Sequence, residues 1–231
     1  LDENAEIIVY EKGTDLSYSG CGMPYYLGDI ITKESQLIAR YRDDFEKNNI
    51  HVFLNCEVTS INETSKTLVI KDYLNHQEVS DHYDKLIIAT GTKAKRTNVP
   101  GSDKAEVYVL NQLEDVRTIK PLVHKSTKVV IIGGGYIGLE VTENLVHKGI
   151  QVEIIQRSNQ LLDTFDKAIA DMAQKVLEAK GVSIHLNEEL QSYNLLNNKT
   201  MIYTDKSTYE ADFVIEAIGV NPNTDFLKNT S

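Results

Sequence analysis

The 231-residue chain predicts an α/β fold made of two successive parallel-sheet units, the first of them incomplete. Three observations predict it. A short β-branched run, Lys128–Ile132, leads straight into a glycine turn and a helical segment. A second apolar strand, residues 152–155, follows that helix and completes a β-α-β unit of about 30 residues. The pattern Val152-Glu153-Ile154-Ile155-Gln156-Arg157 also has an earlier echo in Ile7-Ile8-Val9-Tyr10-Glu11-Lys12. Each is an apolar strand ending in a polar residue and then a base.

In the first copy only six residues precede the strand, so it is expected to lack its opening strand, its glycine turn and most of its helix. Residues 52–54, 58–61 and 67–70 are rich in β-branched side chains and read as strands. Residues 85–88 read as another, ended by Ala89-Thr90-Gly91. Val99-Pro100-Gly101 is a turn signal, and a domain boundary is placed there. The division is then a partial first domain over residues 1–101, a second over 102–226, and a return toward the first beginning at 227–231.

In the second copy Leu139, Val141, Leu145 and Val146 carry helical spacing, and Lys148-Gly149 closes the helix. Residues 167–180 read as an amphipathic helix with Ile169, Met172, Ala173, Val176 and Leu177 on one side. Residues 182–186, 201–203 and 213–215 read as strands, the last ended by Ala217-Ile218-Gly219.

The net charge of −10, from 34 acidic and 24 basic side chains, argues against nucleic acid or an anionic membrane as the main partner. A small phosphate-bearing molecule needs only a few local donors and stays open. Two cysteines, Cys21 and Cys56, do not make a disulfide framework, and a cytoplasmic setting fits them. No apolar run approaches the ~18 residues of a membrane span, and no signal peptide is visible. The six histidines show no metal-ligand spacing, so no metal site is expected. Arg40 and Arg42 flank Tyr41 and can meet a phosphate or simply face solvent.

The glycine turn carries the strongest chemical signal. Gly133-x-Gly135-x-x-Gly138 stands between a strand and a helix, the context a dinucleotide-binding turn requires. Gly133 permits the tight turn, Gly135 admits a pyrophosphate, and Gly138 lets helix and strand pack. The helix start then offers free N–H groups to the phosphates. A purely structural glycine turn is the plain alternative. The ribose-reading position ends the next strand, about 20 residues on, and is normally an acid for NAD. Here it is Gln156, followed by Arg157. Neither repels a 2′-phosphate, and an arginine can hold one bidentately, which favours NADPH with NADH possible. Arg157 as an ordinary surface base stays open. In the first copy the matching residue is Glu11, which suits an unphosphorylated ribose, although a strand-ending Glu by itself is more often a solvated charge. The fold class is therefore two Rossmann-like dinucleotide-binding domains, the first incomplete.

Cys21 stands between Gly20 and Gly22, ten residues after Glu11. Pro24 suits a first helical turn, and a cysteine just before such a turn feels a dipole that favours its thiolate. A lone cysteine is commonly an inert buried residue, but this context favours a redox role for Cys21. Cys56, inside a strand pattern, is read as core.

These segments together resemble the single-cysteine branch of the pyridine nucleotide-disulfide oxidoreductases. The resemblance rests on Glu11-Lys12, on Ser17-Tyr18-Ser19-Gly20-Cys21-Gly22-Met23-Pro24-Tyr25, on Ala89-Thr90-Gly91-Thr92, on Gly133 through Glu140, and on Ala217-Ile218-Gly219-Val220-Asn221-Pro222-Asn223. It implies that Glu11 and Lys12 lie at the adenosine ribose of FAD, that Val58 meets the adenine, and that Ala89, Thr90, Gly91 and Thr92 run along the flavin nucleotide. Tyr136, Ile137 and Glu140 would line the nicotinamide site, with Gly219 at its far end. Ser17 and Gly20 would face a thiol substrate beside Cys21. Pro24-Tyr25 brings the chain nearest to the coenzyme A-disulfide reductase group, although that group often has Asn where Gly20 stands. A lone cysteine can store oxidation as a mixed disulfide or as a sulfenic acid. The first implies reduction of coenzyme A disulfide or a similar small disulfide, and the second an NADH oxidase or peroxidase. A non-catalytic nucleotide-binding fragment or redox sensor is the alternative of another class. The resemblance also implies a homodimer formed through a domain outside this chain.

Overall fold

The structure, a computed structural model, describes residues 5–227. The chain runs through β1 (Ile7–Glu11), β2 (Ser17–Tyr18), α1 (Met23–Leu27), β3 (Ile38–Arg40), α2 (Arg42–Glu46), β4 (Ile50–Leu54), β5 (Cys56–Asn62), β6 (Thr67–Asp72), β7 (Gln77–His82) and β8 (Thr92–Ala94). It continues through β9 (Val107–Val109), α3 (Leu113–Val123), β10 (Lys128–Ile132), α4 (Tyr136–His147), β11 (Gln151–Gln156), α5 (Lys167–Ala179), β12 (Ser183–Leu186), β13 (Leu190–Leu196), β14 (Lys199–Thr204), β15 (Thr208–Ala211), β16 (Phe213–Glu216) and β17 (Val220–Pro222). Contacts group it into two units. Of the described residues, the first holds 5–19, 35–92 and 222–227, and the second holds Gly20–Glu34 and residues 93–221. The sequence reading drew its boundary at Gly101 and kept the Cys21 segment in the first domain. Contacts place the boundary after Thr92 and group that segment with the second unit. Of the expected return at 227–231, residues 228–231 lie outside the described residues.

In the first unit β1 and β4 pair in parallel, Ile7 against Ile50 through Glu11 against Leu54. A three-stranded antiparallel sheet, β5-β6-β7, covers a small core of Cys56, Leu68 and Ile70, with Tyr10 and Leu86 packed on it. Cys56 is thus a core residue, as read. Residues 85–88 form no strand, contrary to the sequence reading, and Ile87 is 89% exposed. A β-branched run becomes a strand only where a neighbour supplies hydrogen bonds, and no ladder among the described residues includes these four.

The second unit is built on a five-stranded parallel sheet in the order β12-β11-β10-β16-β9. The chain moves outward from β10 through β11 to β12 and then returns to β16, on β10's other side. The carboxyl end of β10 is therefore the point where strand order reverses, and such a point opens a crevice. β10 and β11 are apolar on both faces because both faces are covered. Val130, Ile132, Ile155 and Val214 meet Tyr193 and Ile202 of the antiparallel β13-β14-β15 sheet. Val129 and Ile131 point the other way by strand alternation, and α4 packs on that face through buried Val141 and Leu145. Burying side chains of this kind is worth about 1.5–3 kcal/mol each.

Two details differ from the sequence pattern. The side of α5 read as apolar is split: Leu177 is buried, whereas Ile169, Met172 and Val176 are exposed. Helix α3, which the sequence pattern did not single out, tolerates Pro121 and begins with a capping box between Gln112 and Asp115. No helix among the described residues is long and apolar enough to cross a membrane.

Candidate functional site

The turn after β10 is closed on three sides and open on one. Gly133 has φ +103°, and a Cβ there would lie 2.6 Å from the Ala217 carbonyl oxygen. A Cβ on Gly134 would strike Leu161, and one on Gly138 would stand 2.2 Å from the Gly133 carbonyl oxygen. Gly135 alone among the four has no atom within 4 Å of that position. It is also the residue that caps α4, without a side-chain cap of its own. The first N–H groups of α4 have no partner inside the helix, and the helix dipole adds partial positive charge there. Shape and donors both suit a pyrophosphate at Gly135. Tyr136 is exposed and meets Phe165 edge-on, with ring centroids 5.6 Å apart. Ile137, in the first turn of α4, and Glu140, at the start of the second, are half-buried.

Gln156 ends β11 and turns inward, 8% exposed. Its Oε1 accepts the Gly134 N–H at 3.0 Å, and its Nε2 donates to the Gln160 carbonyl and to Asp163 Oδ2. Its amide is therefore engaged within the chain, as a strut for the glycine turn. Arg157 points outward with its side chain 80% exposed, and its nearest acid is Glu189 at 3.9 Å. Gly219, also at φ +103°, accepts the Lys95 N–H through its carbonyl at 2.9 Å. The adjoining segment is held by buried Glu216, which accepts from the Tyr193 hydroxyl at 2.9 Å and the Thr97 N–H at 3.1 Å.

Cys21 is exposed in a short 3-10 turn, Gly20–Gly22, and α1 follows with a proline in its first turn. A Cβ on Gly20 would meet nothing within 4 Å, so the approach on that side is open. The segment is tied to the second unit by charge. Asp29, held at φ +62°, pairs with both Lys120 and Lys148. Lys120 also donates to the Tyr26 carbonyl and, at 3.3 Å, to that of Leu27, and its Nζ lies 4.5 Å from the Tyr26 ring centroid. Gly28 allows the close contact that follows, since a Cβ there would lie 2.9 Å from Asn144 of α4.

The hydrogen bond from Lys120, and then that from Lys148, draw the Asp29 carboxyl down to about 2. Its folded value lies below the unfolded one near 3.9. The stabilisation is thus complete above about pH 4 and is lost as pH falls through about 2. We expect Asp29→Asn to lower Tm at pH 7 and to flatten the fall of Tm between about pH 4 and 2, read by thermal melts across that window. An unchanged acid profile would remove the Asp29 anchor.

In the first unit Glu11 Oε1 accepts the Gly13 N–H at 2.7 Å, and Lys12 pairs with Glu57 at 2.7 Å. Val58 is half-buried beside a register shift in β5. Ser17 lies opposite Arg40 in the β2-β3 pair. Ala89, Thr90, Gly91 and Thr92 are exposed, and Asn223 clamps this segment. Its N–H donates to the Gly91 carbonyl, its side chain to that of Thr90, and its own carbonyl accepts from the Thr90 hydroxyl. Gly133, Gly135, Gly138, Gln156 and Arg157 thus lie around one turn, while Glu11 and Ala89–Thr92 belong to the other unit. Sequence reasoning missed Asp29, Lys120, Asp163 and Glu216. Only Glu216 left a signal, a charge at the end of an apolar strand. Among the described residues no group of three or more potential metal ligands converges.

Residues 2–231 match the family described as pyridine nucleotide-disulphide oxidoreductase. The chain belongs to that family. Among other members, a coenzyme A disulfide reductase of Staphylococcus epidermidis is 32% identical over 237 residues, covering all of this chain and 52% of the relative. The chain spans about half the length of the curated relatives it matches. Among solved structures, a water-forming NADH oxidase of Lactobacillus brevis bound to NADH is 28% identical with a TM-score of 0.94, covering 99% of this chain and 51% of the other. An engineered, NADPH-bound form of that oxidase is 29% identical with a TM-score of 0.93, covering 98% and 51%. As in other pyridine nucleotide-disulphide oxidoreductases, the fold here is α/β with Rossmann-type nucleotide binding.

Proposed function

We propose that the protein carrying this chain is a flavin-dependent NAD(P)H oxidoreductase that reduces coenzyme A disulfide or a similar small disulfide through one cysteine. The observation that carries the reading is the contrast between the two thiols: Cys21 is exposed beside an open Gly20, and Cys56 is buried in the core. With no second accessible thiol among the described residues, oxidation must be stored on one sulfur. The thiolate of Cys21 attacks one sulfur of the disulfide, the S–S bond breaks, and the first small thiol leaves. Two electrons then open the mixed disulfide, returning Cys21 to thiolate and releasing the second. When bound, the nicotinamide supplies a hydride and the flavin relays its two electrons.

The residues present fit these groups. Gly133, Gly135 and Gly138, with the first turn of α4, would hold the nicotinamide dinucleotide's pyrophosphate, and Tyr136, Ile137, Glu140 and Gly219 would line its nicotinamide end. Glu11, Lys12, Val58 and the clamped Ala89–Thr92 segment would hold FAD. Ser17 and Gly20 would face the substrate. Exposed Arg157 favours NADPH, with NADH also used. The Lactobacillus brevis oxidase holds NADH and its engineered form NADPH on one fold, so side chains rather than the fold select between them. We further take the protein to be a cytoplasmic homodimer.

The second reading, an oxidase or peroxidase working through a cysteine sulfenic acid, is favoured by the likeness to that oxidase. The test supplies the full-length protein with NADPH and coenzyme A disulfide without oxygen. Two thiols released per NADPH consumed is the expected result. Turnover only with oxygen or peroxide would overturn disulfide reduction, and no flavin reduction at all would point to a binding module.

A further inference from the structure

The strand-end position that usually carries the ribose-reading acid is occupied by a neutral, inward-turned Gln156. The chain places a carboxylate there by another route. After β11 it folds back over the glycine turn: buried Leu161 packs against Gly134, and Leu162, at φ +50°, donates its N–H to the Gly134 carbonyl at 2.9 Å. That fold-back brings Asp163 to the end of β11. Its Oδ2 accepts from Gln156 Nε2 at 3.1 Å and from the Ser158 hydroxyl at 2.8 Å. Both donors are neutral, so neither cancels the negative charge. Asp163 is exposed, on the same loop as the exposed Arg157.

We propose that Asp163 is a specificity-determining residue of the nicotinamide-dinucleotide site, standing in for the strand-end acid and opposing Arg157 in the choice between NADH and NADPH. The proposal rests on the reading of Gly133 through Gly138 as that site. A carboxylate accepts a hydrogen bond from the 2′-hydroxyl of NAD and repels the 2′-phosphate of NADP. A guanidinium does the reverse. Arg157 is followed within six residues by a fixed acid, so the site attracts the 2′-phosphate less than Arg157 alone would allow, and both nucleotides are used.

The test is calorimetric titration of the full-length protein with NADP⁺ and NAD⁺, for wild type, Asp163→Asn, Asp163→Glu and Arg157→Ala. Asparagine keeps an acceptor oxygen for Gln156 and Ser158 and removes only the charge. We expect Asp163→Asn to tighten NADP⁺ about tenfold relative to NAD⁺ at low salt, with the gain shrinking at high salt because the repulsion is screened. Asp163→Glu should keep the wild-type ratio to within about twofold, and Arg157→Ala should move it toward NAD⁺. A loop with only a structural role would weaken both nucleotides alike and show no salt dependence, and an unchanged ratio in Asp163→Asn overturns the proposal. Failure of the folded wild type to bind either nucleotide would instead overturn the assignment of the glycine turn, a different and separable result.

Discussion

Cys21→Ser in the full-length protein is expected to reduce thiol release from a disulfide substrate to background, a loss on the order of a thousandfold or more, as for removal of other covalent nucleophiles. Hydride transfer from NADPH to the flavin should survive. The reason lies in the placement of the two thiols. Cys21 is exposed in a turn whose neighbour Gly20 leaves the approach open, and the Cys56 side chain, at the start of β5, is buried against Leu68 and Ile70. A serine hydroxyl has neither the acidity nor the redox chemistry to form and release a mixed disulfide. The measurement is anaerobic stopped-flow of flavin absorbance together with a thiol assay. Flavin reduction with no thiol release fits the assignment. Thiol release at the wild-type rate would show that the electrons leave through another group.

The second large effect separates two glycines of one turn. Gly135→Ala should leave the fold nearly intact, because its φ of −83° and ψ of −172° are open to alanine and nothing lies within 4 Å of the new methyl. Alanine is a poorer helix cap than glycine, a cost of under about 1 kcal/mol. The methyl would, however, occupy the space into which a pyrophosphate must come, and nicotinamide-dinucleotide affinity should fall at least about tenfold. Gly138→Ala should damage both properties. Its methyl would sit 2.2 Å from the Gly133 carbonyl oxygen, so α4 must move away from the turn. Overpacking of this kind costs about 1–3 kcal/mol. Thermal melts and calorimetric titration on the two variants decide the matter. Equal loss of stability in both would mean that Gly135 is there for the fold and not for a ligand.

Much of this was legible in the residues. The β-α-β unit from Lys128 to Gln156 is local: strand, glycine turn, helix and strand follow one another, each with its own periodicity and punctuation. The cysteine set between two glycines and the net acidic charge were equally plain. Three-residue strands such as β9 were not, because so few residues carry no period. Residues 85–88 show the converse. Their composition is that of a strand, yet pairing is a property of two segments, and none among the described residues pairs with them.

The sequence by itself determined the class of fold and singled out the glycine turn proposed to hold a dinucleotide and the sulfur proposed to carry the chemistry, because each depends on residues close together in the chain. Tertiary structure alone decided that Gln156 braces the glycine turn, that Asp163 brings a carboxylate to the end of β11, that Lys120 and Lys148 anchor Asp29 in the cysteine segment, and that Asn223 clamps Thr90 and Gly91. These contacts join residues 7 to 133 positions apart. Their partners are chosen by how the chain folds back, and no spacing rule in the sequence encodes a hydrogen bond whose second half lies on another element.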